Sequence, residues 1–305
     1  MLIGFAPDQD KGTSIHAVHE EMLELIGPYQ AGLGFLKLLT EPTDQIFDIL
    51  ITNNMDTFRK FKLEKQEDSL LAVFNGPSEC GSADICFTAS EEHKKHLIVK
   101  YDWTKEKVFV VGRPSMDLLW ATENEKMALQ RIFLRSNGVN PDWGSILINT
   151  VCSKLIGKSL DYLCNFSEEI GMNLIIRAGK NHENKDLDHV CFSDTNKDPD
   201  NLPPLIAADI LITDYADSVL DYLALDRPII FIVSEDNKTT PWWYNENLPG
   251  PIARTVKQLC SLIKTRNEWF NQYINQRKAW KKKFVAGQGT ASQKVVNMLM
   301  KEYNK

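Results

Sequence analysis

A short polar segment follows an apolar run in the second half of the chain. The run Ile210–Thr213 has the length and the β-branched content of a buried parallel strand. Ligands of open α/β sheets bind beyond the carboxyl ends of strands, and the free N–H groups of a following helix attract phosphate. Candidates for contacts with a phosphorylated ligand are therefore Thr213, Asp214, Asp217 and Ser218. That Asp217 only caps the helix remains the alternative.

Charged side chains lie near the end of a second apolar run, Leu174–Arg177. Arg177 and Lys180 would neutralise a leaving phosphate, or else they are solvated charges at a strand end. His182, in the following loop, is a candidate general base, because imidazole takes up a proton near neutral pH. A plain surface histidine is the alternative. Asp221 would hold a sugar or ribose hydroxyl, or support its turn.

The first half of the chain offers an acceptor-side group. Asp10 and Gly12 lie in the loop that follows the first apolar run, and the glycine allows a ligand to approach closely. His16 follows on the first predicted helix as a second candidate base, with a solvated helix face as its alternative. The spacing of His16 and His19 would also suit a metal, but we predict neither a metal nor a cofactor.

The bulk composition limits the function classes. The chain has 305 residues, a net charge of −6 and 43% hydrophobic residues, which indicates a globular protein and argues against nucleic-acid binding. The six cysteines form no CxxC pair, and Cys86, Cys164 and Cys191 lie in or beside apolar runs. We read these three as buried thiols in a reducing compartment. No signal peptide or membrane span is recognised, so the cytoplasm is the expected location.

Apolar runs alternate with amphipathic stretches along the chain. This pattern predicts an α/β protein made of parallel strands and crossover helices. Short runs rich in Ile, Val, Leu and Phe predict strands at 2–6, 47–52, 70–74, 85–88, 108–111, 146–149, 174–177, 210–213 and 229–233. The turn-rich segment 136–144 predicts a boundary between domains at residues 1–135 and 145–305.

Four segments resemble the CDP-glycerol glycerophosphotransferase family, which includes the teichoic-acid polymerases. They are Gly112-Arg-Pro-Ser-Met-Asp117, the run from Ala208 through Thr213-Asp-Tyr215 to Phe231, Leu248-Pro-Gly-Pro-Ile252, and Gly287-Gln-Gly-Thr-Ala-Ser292. Their order and spacing agree with the family from about residue 85 onwards. The resemblance implies a GT-B fold, in which two Rossmann-like domains face a central cleft.

The resemblance also implies an activity. It is the transfer of glycerol phosphate, from CDP-glycerol or a related donor, to a polyol-phosphate or glycan acceptor during synthesis of a cell-surface polymer. Pro249 and Gly250 would bring backbone close to the donor, or else form a plain turn. The basic aromatic stretch 277–284 would contact anionic lipid on the inner face of the membrane, with a charged helix face as its alternative.

The chain departs from the family at its catalytic positions. Asn75, followed by Gly76 on the acceptor side, stands where the family has one histidine, and Gly179 replaces the other. Ala216 and Asp217 replace two hydroxyl residues at the phosphate turn. Two further hypotheses therefore stay open. One is another GT-B enzyme with a nucleotide-sugar donor, such as a glycosyltransferase or a UDP-sugar 2-epimerase, and the other is a non-catalytic relative.

Overall fold

A computed structural model gives the fold of the protein. The residues that the structure describes are 3–6, 18–22, 36–38, 47–52, 68–74, 83–150, 159–178, 187–194, 201–214, 218–232 and 247–303. None of the helices within these ranges is both long enough and apolar enough to cross a bilayer.

The strands occur where the apolar runs predict them, with three short additions. They are β1 (Ile3–Ala6), β2 (Leu36–Leu38), β3 (Ile49–Thr52), β4 (Leu70–Phe74), β5 (Ile85–Thr88), β6 (Val108–Val110), β7 (Gly144–Asn149), β8 (Met172–Ala178), β9 (Val190–Asp194), β10 (Ile210–Thr213), β11 (Ile229–Ile232) and β12 (Ile252–Ala253). The strands that the sequence pattern did not predict are β2, β9 and β12.

Helices follow most of the strands. They are α1 (Glu91–Tyr101), α2 (Glu123–Ser136), α3 (Leu160–Glu169), α4 (Leu202–Ala207), α5 (Ser218–Tyr222), α6 (Val256–Lys264), α7 (Arg266–Trp269), α8 (Ile274–Phe284) and α9 (Ala291–Tyr303). Residues 18–22 are also helical. Shorter 3-10 turns lie at Lys105–Lys107, Pro114–Trp120, Leu223–Leu225 and Phe270–Tyr273.

The strands form two six-stranded sheets in which every described pairing is parallel. The first has the order β2-β1-β3-β4-β5-β6, and the second has the order β12-β11-β10-β7-β8-β9. In the second sheet the strand order reverses between β7 and β10. Such a switch point opens a crevice beyond the carboxyl ends of the strands, which is where ligands of this architecture bind. The predicted α/β architecture is confirmed.

Alternation of side chains along the strands produces the core of the second sheet. Ile146, Ile148, Ile210 and Ile212 point to one face and join a buried cluster with helices α3 and α6. Leu147, Ile175 and Leu211 point to the other face and are also buried. Burial on both faces explains why these strands read as continuous apolar runs.

The chain divides into two compact units, residues 1–120 with 283–305, and residues 121–282. The predicted boundary at 136–144 lies too late. Helix α2 begins with a capping box in which Thr122 and Glu125 satisfy each other's backbone N–H groups, and its Gln130 donates to the Ala207 carbonyl at 2.9 Å. It therefore belongs to the second unit. The last 23 residues (283–305), predicted in the second domain, belong to the first unit.

Candidate functional site

A row of polar residues crosses the carboxyl edge of the second sheet at its switch point. Asn149 at the end of β7 pairs with Arg177 on β8 and with Thr213 at the end of β10. Arg177 in turn pairs with Ser193 on β9. Residues paired in a parallel sheet point to the same face, so these four side chains share the face opposite Ile148 and Ile212. We call Ser193, Arg177, Asn149 and Thr213 the polar row.

Two hydroxyl groups at this edge are buried without a hydrogen-bond partner. Thr213 is fully buried and Ser218, the first residue of α5, is 6% exposed. In the described part of the chain neither Oγ1 of Thr213 nor Oγ of Ser218 has a hydrogen-bond partner. Burial of an unpaired hydroxyl costs about 1–3 kcal/mol. Native proteins seldom retain such a cost, so both hydroxyls are candidates for contacts with a ligand that would supply the missing partner.

Arg177 is held in place by two neutral side chains. Its guanidinium Nε donates to Asn201 Oδ1 at 2.6 Å, and Nη1 donates to Ser193 Oγ at 2.8 Å. The side chain is only 2% exposed, so the alternative of a solvated charge is wrong. Asn201 precedes α4 and makes no capping hydrogen bond with its side chain, which faces the arginine instead. A positive charge is therefore fixed at the switch point.

Two carboxylates accompany the polar row. Asp214 follows Thr213 directly and is 3% exposed, while Asp221 on α5 is 7% exposed. Helix α5 packs against β10. Both carboxylates therefore lie on the elements that frame the edge, as the sequence predicted. Asp217 lies outside the described residues, as do Asp10, Gly12, His16, Asn75, Gly76, Lys180 and His182.

A buried thiol on β9, beside the polar row, is not a nucleophile. Cys191 lies on β9, two residues before Ser193, and is 5% exposed. Burial raises the pKa of Cys191 to about 12. Because only the thiolate attacks, this side chain stays inert at neutral pH. The predicted burial of Cys86, Cys164 and Cys191 is confirmed, and Cys260 is buried as well.

Gly250 lies at the opposite end of the sheet. A Cβ atom there would lie 2.0 Å from the carbonyl oxygen of Ile229, the first residue of β11. The segment then runs along β11, since the Pro251 carbonyl accepts from Phe231 N at 2.9 Å. The glycine is needed for packing at the amino end of a strand. This packing gives Gly250 a structural explanation, and the contact of Pro249 and Gly250 with the donor stays a prediction.

The basic aromatic stretch 277–284 turns its aromatic residues inward. Trp280 is 3% exposed and donates from Nε1 to the Asn247 carbonyl at 2.6 Å, and Phe284 is 4% exposed. Arg277 is buried, pairs with Asp226 at 2.8 Å and stacks on Phe270. These side chains have no apolar surface left for a bilayer. The predicted lipid contact through the aromatics of this stretch is therefore wrong, and its alternative, a helix with an exposed charged face, describes it.

Two of the family-like segments bind each other within the first unit. The Asp117 carboxylate accepts from Ala291 N at 3.0 Å and from Ser292 N at 2.8 Å, and thereby caps α9. A Cβ atom on Gly112 would lie 2.5 Å from the Ala286 carbonyl oxygen and 2.8 Å from Cα of Gly287. We call this arrangement the clasp. It fastens the C-terminal helix to the first unit, so both segments have a structural explanation.

Three residues at the polar row were not predicted from the sequence as site residues. Asn149 was assigned only to a strand, whereas Ser193 and Asn201 lie in segments for which no element was predicted. Asn149 carried a usable signal, because a polar residue ending an apolar run stands at the carboxyl edge of a sheet. Ser193 and Asn201 carried none, since only the fold brings them to Arg177.

Comparisons with known proteins address the same region. Residues 175–301 match the model of the CDP-Glycerol:Poly(glycerophosphate) glycerophosphotransferase family. A teichoic acid glycerol-phosphate transferase of Staphylococcus aureus (strain NCTC 8325 / PS 47) is 31% identical over 103 residues, which is 32% of this chain and 26% of that protein. A teichoic acid poly(ribitol-phosphate) polymerase of Bacillus spizizenii (strain ATCC 23059 / NRRL B-14472 / W23) is 34% identical over 73 residues, 22% of this chain and 12% of that protein. The chain thus aligns with about a quarter or less of these relatives.

Solved structures extend the likeness in fold to the whole chain. The wall teichoic acid polymerase TagF superimposes with a TM-score of 0.80 at 17% identity and covers 99% of this chain and 89% of that one. A UDP-GlcNAc 2-epimerase from Neisseria meningitidis superimposes with a TM-score of 0.57 at 12% identity, over 98% and 99% of the two chains. The GT-B fold is confirmed.

Proposed function

We propose that the chain transfers glycerol phosphate from CDP-glycerol to a polyol-phosphate acceptor, because residues 175–301 match the model of the CDP-Glycerol:Poly(glycerophosphate) glycerophosphotransferase family. The family resemblance inferred from the sequence is confirmed by this match. The acceptor class and the role in cell-surface polymer synthesis follow from the resemblance. A reaction at the inner face of the membrane would suit a polymer that grows there.

The observation that carries the proposal is the polar row with its two unpaired hydroxyls. A donor pyrophosphate at the switch point would accept hydrogen bonds from Thr213 Oγ1 and Ser218 Oγ, two buried groups for which the described residues supply no partner. The side chain of Arg177 is enclosed by Asn201 and Ser193, to which it donates hydrogen bonds. Its fixed positive charge would therefore stabilise the phosphate oxygens through its electric field. Asn149, the least buried member of the row, would meet the ligand directly.

The proposed reaction balances as a phosphoryl transfer. The oxygen of an acceptor hydroxyl attacks the phosphorus that carries the glycerol and forms a new P–O bond. The bond between that phosphorus and the bridging oxygen breaks, and CMP leaves with the bridging oxygen. A positive charge near the leaving phosphate lowers the barrier, because negative charge accumulates there. The proton of the attacking hydroxyl passes to a base.

We assign the role of this base to His182, with His16 as the second candidate. Both family histidines are replaced in this chain, by Asn75 and Gly179, and an asparagine cannot take up a proton near neutral pH. His182 lies three residues beyond Gly179 in the loop that follows β8, the strand that carries Arg177. Lys180 and Asp217 would add contacts to the donor phosphates from the same edge. On the acceptor side we propose Asp10, Gly12 and Gly76.

A panel of nucleotides tests the donor. The thermal transition of the protein is measured with CDP-glycerol, CDP, a UDP-sugar and a GDP-sugar. Stabilisation by CDP-glycerol and CDP supports the proposal. Stabilisation by a UDP-sugar alone would favour a nucleotide-sugar enzyme. The replacement of two hydroxyl residues of the family's phosphate turn by Ala216 and Asp217 would then reflect a different donor. No shift with any nucleotide would favour a non-catalytic relative.

Turnover separates binding from chemistry. We expect His182→Ala to abolish the release of CMP while the stabilisation by CDP-glycerol is kept, because a base acts only on the attacking hydroxyl. His189→Asn serves as the matched control, since that buried histidine contacts the Cys164 carbonyl at 3.1 Å and precedes the amino end of β9, whereas Ser193 of the polar row lies near the carboxyl end of that strand. Full activity of the His182→Ala variant would remove His182 from the reaction.

A further inference from the structure

A pocket of about 780 Å³ lies at the amino edge of the second sheet. Gly144 and Met172 begin β7 and β8, while Asp209 and Pro228 directly precede β10 and β11, and all four residues line the pocket. The polar row lies at the carboxyl ends of the same strands. The volume is typical of sites for small molecules. We call this cavity the amino-edge pocket.

The charged side chains of the amino-edge pocket are mostly committed to partners. Asp209 Oδ2 accepts from Ser145 N at 2.8 Å. Asp226 Oδ1 accepts from Arg277 at 2.8 Å, and Lys264 pairs with Glu169 at 2.9 Å. The carboxylates of Asp209 and Asp226 each have a second oxygen, which can accept a further hydrogen bond.

Arg227 has a structural explanation as well. Its Nη1 donates to the carbonyls of Ile206 at 2.8 Å and Ala208 at 2.6 Å. These carbonyls end helix α4, where a cation satisfies the free acceptors and the helix dipole. Arg227 is therefore a cap of α4.

Unlike Arg227 and Lys264, Arg266 makes no short hydrogen bond or ion pair with the described residues. Within the part of the chain that the structure describes, its guanidinium makes one long hydrogen bond, from Nη1 to the Ile263 carbonyl at 3.5 Å. A guanidinium has five N–H donors in a planar fork that matches two oxygens of a phosphate. The pocket therefore presents a partly buried anion-binding group that the fold itself hardly uses.

We propose that the amino-edge pocket binds a small organic phosphate that carries hydroxyl groups. Arg266 forms the charge-assisted contact with the phosphate, and the second oxygens of Asp209 and Asp226 accept from the hydroxyls. The charge balance allows this ligand. The lining cations Arg227, Lys264 and Arg266 outnumber the two aspartates, and the partners Arg277 and Glu169 cancel each other. Ile170 and Met172 give the carbon skeleton an apolar surface.

The site is independent of the proposed donor contacts. It lies at the ends of the strands opposite the polar row, and no residue of the row lines it. A ligand bound there would therefore leave Thr213 and Ser218 free for a nucleotide. Failure of the donor proposal would leave this one standing, and the reverse also holds.

A titration followed by backbone amide resonances tests the proposal, with glycerol 3-phosphate as the probe. We expect saturable shifts at Gly144, Gly171 and Asn267, which line the pocket. Arg266→Gln should weaken the affinity by about tenfold or more, since a charge-assisted hydrogen bond is lost. Arg135→Gln is the matched control, because that arginine is exposed on α2 and does not line the pocket.

Further titrations identify which groups of the ligand the pocket recognises. Inorganic phosphate should bind more weakly than glycerol 3-phosphate, and glycerol should not shift the three amides. Asn267→Trp should block binding, because Asn267 is exposed at the pocket and a larger side chain fills it without disturbing the core. The proposal is overturned if glycerol 3-phosphate gives no saturable shift, if Arg266→Gln binds as tightly as the unchanged protein, or if inorganic phosphate binds equally well.

Discussion

The clasp in the first unit and the polar row in the second unit are both built from polar residues near family-like segments, but they differ in what satisfies those residues. In the clasp, both oxygens of Asp117 accept from backbone N–H groups of α9, at 3.0 and 2.8 Å. In the polar row, the hydroxyls of Thr213 and Ser218 are buried and have no partner among the described residues. The two regions therefore separate a motif whose polar groups are satisfied within the chain from a motif that we propose binds a ligand.

This difference teaches how to read a family-like segment. A polar group that finds its partner within the chain needs no ligand to explain it, as with Asp117. A buried polar group that lacks a partner carries an energetic cost in the free protein, and the cost is recovered when a ligand binds. The clasp should accordingly respond to mutation in stability, whereas the polar row should respond in affinity.

The largest effect is expected for Gly112→Ala in the clasp. A Cβ atom there would lie 2.5 Å from the Ala286 carbonyl, and the φ of +100° is a region that side chains disfavour. We expect a loss of about 3 kcal/mol or more in the free energy of unfolding. The matched control is Gly138→Ala, where φ is +71° but no atom lies within 4 Å. Its cost should be only about 1 kcal/mol. Equal costs, measured by thermal unfolding, would show that the close approach in the clasp is unimportant.

Asp117→Ala should have the next largest effect. It removes two hydrogen bonds to the N-terminus of α9 and a favourable charge at the positive end of that helix. We expect a loss of about 2 kcal/mol, seen as a lower thermal transition. Asp142→Ala is the control, since that side chain is 80% exposed and makes a single long ion pair at 3.9 Å. A variant at Asp117 as stable as the control would contradict the capping role.

Thr213→Val should act in the opposite direction on the free protein. The substitution removes a buried hydroxyl without a partner and keeps the shape of the side chain. We therefore expect the stability without ligand to rise by up to about 1 kcal/mol. Thr88→Val removes a similar unpaired hydroxyl from the carboxyl end of β5 in the first unit and should behave alike. A clear loss of stability at Thr213 alone would indicate a structural hydrogen bond there.

The smallest effect is expected at Cys191, beside the polar row. With a pKa of about 12, the thiol should resist iodoacetamide in the folded protein at neutral pH. Peptide mapping by mass spectrometry should find Cys191 unmodified before unfolding and fully modified after it. Labelling of the native protein would mean that this edge opens on the time scale of the reaction, and the polar row would then be less closed than the clasp.

The sequence predicted the strands better than the pairing between them. Runs such as Ile210–Thr213 are buried on both faces, so their composition alone indicates strands. The strand β9, which reads Val-Cys-Phe-Ser-Asp, was missed because polar residues end it early. The polar row depends on pairings between β7, β8 and β10, strands far apart in the chain, and no local pattern encodes that register.

Two segments that were predicted to contact ligands have structural roles with a common physical cause. Gly250 and the stretch 277–284 were given ligand contacts because glycine and basic aromatic segments often serve that purpose. Their environment is instead set by distant backbone: the Ile229 carbonyl against Gly250 and the Asn247 carbonyl under Trp280. The domain boundary near residue 140 was misplaced for the same reason, because Gln130 of α2 donates a hydrogen bond to the Ala207 carbonyl of α4, 77 residues later in the chain.

A calorimetric titration of CDP-glycerol tests the central claim most directly, namely that the unpaired hydroxyls of the polar row and α5 bind the donor. The unchanged protein, the double variant Thr213→Val with Ser218→Ala, and the control Thr88→Val are compared. We predict saturable binding to the unchanged protein and to the control, and an affinity at least about tenfold lower for the double variant with undiminished thermal stability. Equal affinity of the double variant and the unchanged protein would contradict the claim.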